Sequence, residues 1–119
     1  MTKILIVDDD KEVTNLFEKF LTLEGYETTS LNDSAKAVAV ANEIVPDLFL
    51  LDLMMPPPDG FKLCMLLRAE PKFALTPIII ITALGDNDSK VVAYGAGAND
   101  YLIKPFHIDE LAKRVKAFI

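Results

Sequence analysis

The chain alternates between short apolar runs and longer stretches in which apolar residues recur every three or four positions. Five runs have strand length: Ile4–Val7, Tyr26–Leu31, Leu48–Leu53, Pro77–Thr82 and Asp100–Ile103. The first, third and fourth are almost wholly apolar, with Ile-Leu-Ile-Val, Leu-Phe-Leu-Leu and Ile-Ile-Ile-Ile within them. Continuous runs of this kind suit strands covered on both faces of a parallel sheet. Tyr26–Leu31 is more polar, which assigns it to a sheet edge. Between the runs, Val13, Leu16, Phe17, Phe20 and Leu21 keep the spacing of an amphipathic helix, and Gly25 stops it. Val38, Ala41 and Val45 form a thinner stripe. Phe61, Cys64 and Leu67 mark a third helix, and Ile108, Leu111, Val115 and Phe118 mark the last. Residues 86–95 carry only a weak helical pattern.

No repeat, linker or low-complexity tract interrupts the series, so residues 1–119 read as one domain. Five strand–helix units with right-handed crossovers predict an α/β fold: a doubly wound, five-stranded parallel sheet with helices on both faces. In such sheets ligands sit outside the carboxyl ends of the strands, near the topological switch point. The residues that end the strands are therefore the first candidates for chemistry.

Those ends carry a distinctive set. Strand one ends in Asp8-Asp9-Asp10, strand three at Asp52, strand four in Thr82-Ala83, and strand five is followed by Lys104-Pro105. Carboxylates of Asp8, Asp9 and Asp52 in one cleft repel each other, which penalises bringing them together. A hard divalent cation removes that penalty, and Mg²⁺ takes about six oxygens while keeping several as water. A plainer reading makes Asp8–Asp10 caps of the first helix, a role that suits Asp10. Asp52 is harder to explain that way, because it interrupts an apolar run where a lone charge is costly. Lys104 is either a surface lysine at a helix start or a point charge for a phosphoryl oxygen. A cis Lys104–Pro105 bond, which sequence cannot establish, directs the side chain inward. Thr82 is either a β-branched strand residue or a hydroxyl donor to an anion at Asp52. Together these groups suit phosphoryl transfer to a carboxylate, with Asp52 as nucleophile and charge stabilised by Mg²⁺ and Lys104.

Charge narrows the field. A formal charge of −6 argues against direct nucleic-acid binding and against adsorption to anionic membranes. The only cysteine, Cys64, has no internal disulfide partner and fits a reducing compartment. It lies on an apolar helix face and reads as core. The apolar runs are too short to span a bilayer, and Ile4–Val7 stops at three aspartates where a signal peptide continues. The expectation is a cytoplasmic protein.

Ile-Leu-Ile-Val-Asp-Asp-Asp (4–10), Pro-Asp-Leu-Phe-Leu-Leu-Asp-Leu-Met-Met-Pro (46–56), Asp-Gly (59–60), Ile-Thr-Ala (81–83) and Gly-Ala-Asn-Asp-Tyr-Leu-Ile-Lys-Pro-Phe (97–106) stand in one order and register. In this the chain resembles the response regulator receiver domains of two-component systems, over essentially its whole length. The resemblance implies a flavodoxin-like sheet of order 2-1-3-4-5. It implies Asp52 as phosphoacceptor, and Asp8, Asp9, Asp52 and the backbone carbonyl of Met54 as Mg²⁺ ligands. By the same resemblance Thr82 would contact the phosphoryl group and move with it, Lys104 would pair with it, and Tyr101 would be the aromatic switch that turns inward. The implied donor is a phosphohistidine on a sensor histidine kinase or phosphotransfer protein. The implied readout is the face of the fourth helix, fifth strand and fifth helix, toward an output domain or target protein. A phosphorylation-dependent dimer over Lys90, Asp100 and Arg114 is a further implication. The resemblance further implies a domain that is no conventional enzyme and catalyses only its own phosphorylation and dephosphorylation.

Two departures stand out. Pro56-Pro57-Pro58 replaces a loop in which the family commonly has glycine and methionine at 57 and 58, and predicts a stiffer segment beside the site. Met65 and Leu66 put apolar side chains on a helix face that is often polar in the family, a candidate contact surface. In the family the positions two beyond the phosphoacceptor and the threonine influence how fast the phosphoryl group is lost; here they are the bulky Met54 and Leu84, and the resemblance thus implies a long-lived phosphoform. Three rival readings are weaker. A haloacid-dehalogenase-type phosphatase accounts for Asp8-x-Asp10 but leaves Lys11 and Glu12 in place of its expected residues, and the chain has no room for a cap. A dinucleotide site at Gly95-Ala-Gly97 lacks its third glycine and precedes a strand. A phosphorylation-independent pseudo-receiver usually lacks one of the acidic residues or the lysine, all of which are present here. His107 reads as a surface or capping residue.

Overall fold

A computed structural model describes all 119 residues. The elements are β1 (Lys3–Val7), α1 (Lys11–Leu23), β2 (Glu27–Leu31), α2 (Ala37–Ile44), β3 (Leu48–Leu51), α3 (Gly60–Ala69), β4 (Ile78–Thr82), α4 (Asn87–Gly95), β5 (Asp100–Ile103) and α5 (Ile108–Phe118), with short 3-10 turns at Ser34–Lys36 and Pro71–Phe73. The strands are parallel in the order β2-β1-β3-β4-β5, as expected, and β2 lies at an edge. Every residue of β3 and β4 is buried, which is why those strands read as unbroken apolar runs. Strand ends differ from the sequence reading by one or two residues: Tyr26, Leu53 and Pro77 lie outside the ladders.

The two faces of the sheet bury separate cores. One joins Leu5, Val7, Phe49, Leu51, Ile78 and Ile80 to α2, α3 and α4; the other joins Ile4, Ile6, Leu48, Leu50, Ile79 and Ile81 to α1 and α5. Alternate residues of one strand thus face opposite cores, the two-residue period of a strand.

The helix faces need several corrections. Leu16 is 59% exposed; α1 faces the sheet through Thr14, Phe17 and Leu21, and Leu16 lies roughly 100° around the helix from Phe17. Val45 is outside α2, exposed in a left-handed conformation at φ 50°, and Ala37 and Ala41 fill the buried face instead. On α3 the inward residues are Gly60, Leu63, Cys64 and Leu67; Phe61 sits half-buried on the flank. Residues 87–95 do form a helix, with Ala93 its one buried residue, which explains the weak pattern. In α5, Leu111 and Val115 are buried, while Ile108 and Phe118 are half-buried. Met65 and Leu66 are exposed, and His107 stands exposed at the α5 N-terminus without making a capping bond. No helix is long and apolar enough to cross a membrane.

Cys64 is fully buried, and its thiol contacts the Ala96 carbonyl at 3.4 Å. Burial pushes the thiol above its ordinary value, opposed weakly by the Arg68 charge. The folded state therefore holds this proton to higher pH than the unfolded chain. Its contribution to stability is complete below about pH 8.5 and is lost as pH rises through the folded value. Native protein should resist iodoacetamide at neutral pH, with alkylation read by mass tracking global unfolding in a denaturant series. Rapid labelling of the native state is the contrary result.

At the amino-terminal end of the strands, Arg68 ties four segments together. It donates to the Gly97 carbonyl (3.0 and 2.8 Å), the Phe73 carbonyl (2.7 Å), the Thr76 carbonyl (2.6 Å) and Asn99 Oδ1 (2.7 Å). Asn99 Oδ1 also accepts from the Ile78 amide at 2.9 Å. Gly97 has φ 112°, and a Cβ there would meet Arg68 Cγ at 2.7 Å.

Candidate functional site

The chemistry gathers at the opposite end of the sheet. β1 and β3 are neighbours with Val7 opposite Leu51, so the next residue on each strand, Asp8 and Asp52, emerges side by side. The ladder continues one step past the strands: the Asp52 amide donates to the Val7 carbonyl at 3.0 Å, and the Asp8 amide to the Leu31 carbonyl at 3.1 Å. Asp8 is 3% exposed and Asp52 is 8% exposed. Asp9 is exposed, and Asp10 turns away to cap α1, accepting from the Glu12 and Val13 amides. Ligand oxygens of Asp8, Asp9 and Asp52 all lie within 4.8 Å of one another.

Lys104 completes the cleft from β5. Its ammonium donates to Asp8 Oδ2 at 2.8 Å and to Asp52 Oδ2 at 3.3 Å. The Lys104 amide also donates to the Thr82 carbonyl at 2.8 Å, and the Lys104–Pro105 peptide is cis. Thr82 is fully buried, and its hydroxyl accepts from the Leu84 amide at 3.4 Å. The Met54 amide donates to Asp52 Oδ1 at 3.2 Å, while the Met54 side chain is 57% exposed at the cleft rim. Tyr101 lies inward, and its hydroxyl donates to the Leu84 carbonyl at 2.6 Å.

The electrostatics follow from one ammonium shared by two buried carboxylates, with a third carboxylate, Asp9, beside them. Burial raises the Asp8 carboxyl above its ordinary value and the charge of Asp52 adds to this, while Lys104 and the Asp10 amide pull the other way. Burial alone lowers the Lys104 pKa, but the hydrogen bond to Asp8 and the charges of Asp52 and Asp8 outweigh it and hold the ammonium above the usual lysine value. Tyr101 is raised by burial and then by the charges of Asp86 and Asp52, so the phenol keeps its proton. The oxygen donors fit a small hard cation: two buried carboxylates, a third open to solvent, and no sulfur or imidazole.

Two contributors escaped the sequence reading. Gly60 opens α3 so close to β3 that a Cβ there would strike the Asp52 carbonyl oxygen and lie 2.6 Å from Leu53 Cα. Ser34 is buried, and its hydroxyl lies 3.0 Å from the Pro56 carbonyl and 2.7 Å from that of Pro58, across the loop that follows Asp52. The first stood only as part of an Asp-Gly motif, and a lone loop serine gives no periodic signal. On the surface over Lys90, Asp100 and Arg114, the Arg114 guanidinium pairs within the chain with Asp100 at 2.6 Å.

A doubly wound parallel sheet whose carboxyl ends hold an acidic cleft and a lysine defines a class of phosphorylation-type switch domains. Residues 4–116 match the family model described as response regulator receiver domain, and the chain belongs to that family. It is 40% identical over 119 residues to the DNA-binding dual master transcriptional regulator RpaA of Synechocystis, covering 100% of this chain and 49% of that protein. It is 40% identical over 118 residues to the transcriptional regulatory protein ResD of Bacillus subtilis, covering 99% of this chain and 48% of that protein. The chain thus spans about half the length of the curated relatives it matches. Among solved structures, the chemotaxis protein CheY4 of Vibrio cholerae superposes with a TM-score of 0.96 at 28% identity, covering 100% of this chain and 99% of that one. The BeF3-activated receiver domain of Klebsiella pneumoniae RstA gives 0.92 at 31% identity, covering 98% and 97%. The chain is a receiver domain of two-component response regulators, with the acidic pocket typical of a phosphorylation site; it is not a conventional enzyme, and the pseudo-receiver reading is not favoured.

Proposed function

We propose that Asp52 accepts a phosphoryl group from a phosphohistidine donor on a sensor histidine kinase or phosphotransfer protein. The observation that carries this reading is the single cleft in which Lys104 reaches both Asp8 and Asp52. An Asp52 carboxylate oxygen attacks phosphorus, the P–N bond to the donor imidazole breaks, and its electron pair leaves with the imidazole. Asp8, Asp9, Asp52 and the Met54 carbonyl would hold Mg²⁺, which, when bound, would offset charge on the phosphoryl oxygens. Lys104 shifts from Asp52 to the arriving phosphoryl group as a point charge. The Thr82 hydroxyl turns to donate to it and gives up the Leu84 amide. Because Tyr101 is bonded to the Leu84 carbonyl, that movement reaches β5 and the neighbouring face of α4 and α5. In the whole protein, this face acts on an output domain or target; RpaA is a DNA-binding regulator by its description, and the −6 charge of the receiver leaves DNA contact to another segment.

The test incubates the protein with Mg²⁺ and acetyl phosphate and reads intact mass. One phosphoryl adduct, absent with a chelator and mapped to Asp52 after borohydride trapping, is expected. Folded protein without adduct overturns the reading. Met54 and Leu84 limit the approach of water, so the adduct should decay slowly in Mg²⁺; rapid decay after removal of the donor refutes that part.

A further inference from the structure

The triple proline beside the site creates a problem that one buried hydroxyl solves. Pro56, Pro57 and Pro58 supply no backbone N–H, so this turn cannot bind its own carbonyls through those residues. The donor comes from 24 residues away in sequence: Ser34 Oγ lies 2.7 Å from the Pro58 carbonyl and 3.0 Å from the Pro56 carbonyl, with the serine 5% exposed. Ser34 is itself fixed at the start of a 3-10 turn whose cap, Asp33, accepts from the Ala35 amide at 3.1 Å. Two residues earlier, Asn32 Nδ2 donates to the Asp8 carbonyl and to Thr14 Oγ1, both at 2.9 Å. Leu31 accepts from the Asp8 amide. The segment 31–34 therefore grips both loops that bear the carboxylates. It holds the Asp8 backbone with Leu31 and Asn32, and the loop after Asp52 with Ser34.

We propose that Ser34 is a positioning residue for the metal site, acting through the proline loop to hold Met54 and Asp52 in register with Asp8 and Asp9. This rests on the phosphoacceptor reading above. Deleting a group hydrogen-bonded directly to a metal ligand typically costs 10–100-fold in metal affinity; Ser34 acts one step further out, through the loop, which sets the expectation at the lower end of that range. In Ser34→Ala the two proline carbonyls lose their donor and the loop relaxes. The Mg²⁺ dissociation constant, measured by calorimetric titration, should rise about tenfold. Labelling by acetyl phosphate should need correspondingly more Mg²⁺ but reach the parent's level at saturation. Ser34→Thr keeps the hydroxyl and should restore parental Mg²⁺ affinity. Val115→Ala, in the core on the other side of the sheet, serves as a stability control: it should lower the melting temperature without moving the Mg²⁺ constant.

Unchanged Mg²⁺ affinity in Ser34→Ala, equal weakening in Ser34→Thr, or equal weakening in Val115→Ala would each overturn the positioning role while leaving the phosphoacceptor intact. A parent chain that binds Mg²⁺ but takes no phosphoryl group defeats the functional reading instead, and the calorimetric comparison still decides whether Ser34 positions the metal ligands.

Discussion

Asp52→Asn should abolish phosphoryl labelling altogether and at the same time make the metal-free protein more stable. The loss follows from chemistry: a neutral amide has no carboxylate oxygen to attack phosphorus. The gain follows from charge. Asp8, Asp9 and Asp52 place three carboxylates within reach of one another, and one ammonium contacts only two of them. Removing one negative charge relieves the repulsion that helps raise Asp8, and Lys104 keeps its shorter contact to Asp8 at 2.8 Å. Functional sites commonly trade stability in this way, and the release should be roughly 1 kcal/mol. Thermal unfolding with chelator should therefore give a higher midpoint for the variant. Saturating Mg²⁺ should narrow the difference, because it stabilises the parent by mass action and binds the variant less tightly. A variant that still takes label, or one less stable than the parent without metal, contradicts the assignment.

Gly60→Ala should be the most damaging single methyl group in the chain. The added carbon would meet backbone atoms: the Asp52 carbonyl, and Leu53 Cα at 2.6 Å. Neither is free to move. The Asp52 amide is bonded to Val7, and the Gly60 amide to the Leu53 carbonyl at 3.0 Å. Relief requires α3 to lift from the sheet or the end of β3 to shift, and Asp52 shifts with it. The cost should be about 3 kcal/mol, the upper range for overpacking. That lowers the melting midpoint by roughly 10–20 °C for a domain of this size. Gly95→Ala is the control, since nothing lies within 4 Å of a Cβ there. Equal melting of the two variants would refute the close approach of α3.

The sheet and the residues that the candidate cleft brings together were legible in the sequence for different reasons. β3 and β4 are buried on both faces, so composition alone marks them. Asp52 was visible because it breaks such a run. Asp8 and Lys104 were visible as the residues next to strand ends, though only the fold brings together groups 96 positions apart. Periodicity fails where the inward side chain is small or absent: Gly60 carries no apolar signal, so the pattern points to Phe61 instead of Leu63 for the inner face of α3. Leu16 failed in the opposite way, as a large apolar residue left in water. Ser34 and Asn32 were invisible because their importance lies in which carbonyls they meet, and loops carry no period from which to read that.

The Arg68 cluster sets how α4 can travel. The turn leaving α4 at Gly97 is moored to α3, to the segment before β4 and, through Asn99, to β4 itself. The leading end of α4 has no such anchorage; its cap, Asp86, binds only within its own turn to Ser89. On the proposed phosphorylation, a displacement begun at Thr82 and Leu84 should swing the helix like a gate on a fixed post, with the longest arc at Asn87 and almost none at Ala96. A partner resting on the leading turn senses the full excursion, while one clasping the trailing end senses little.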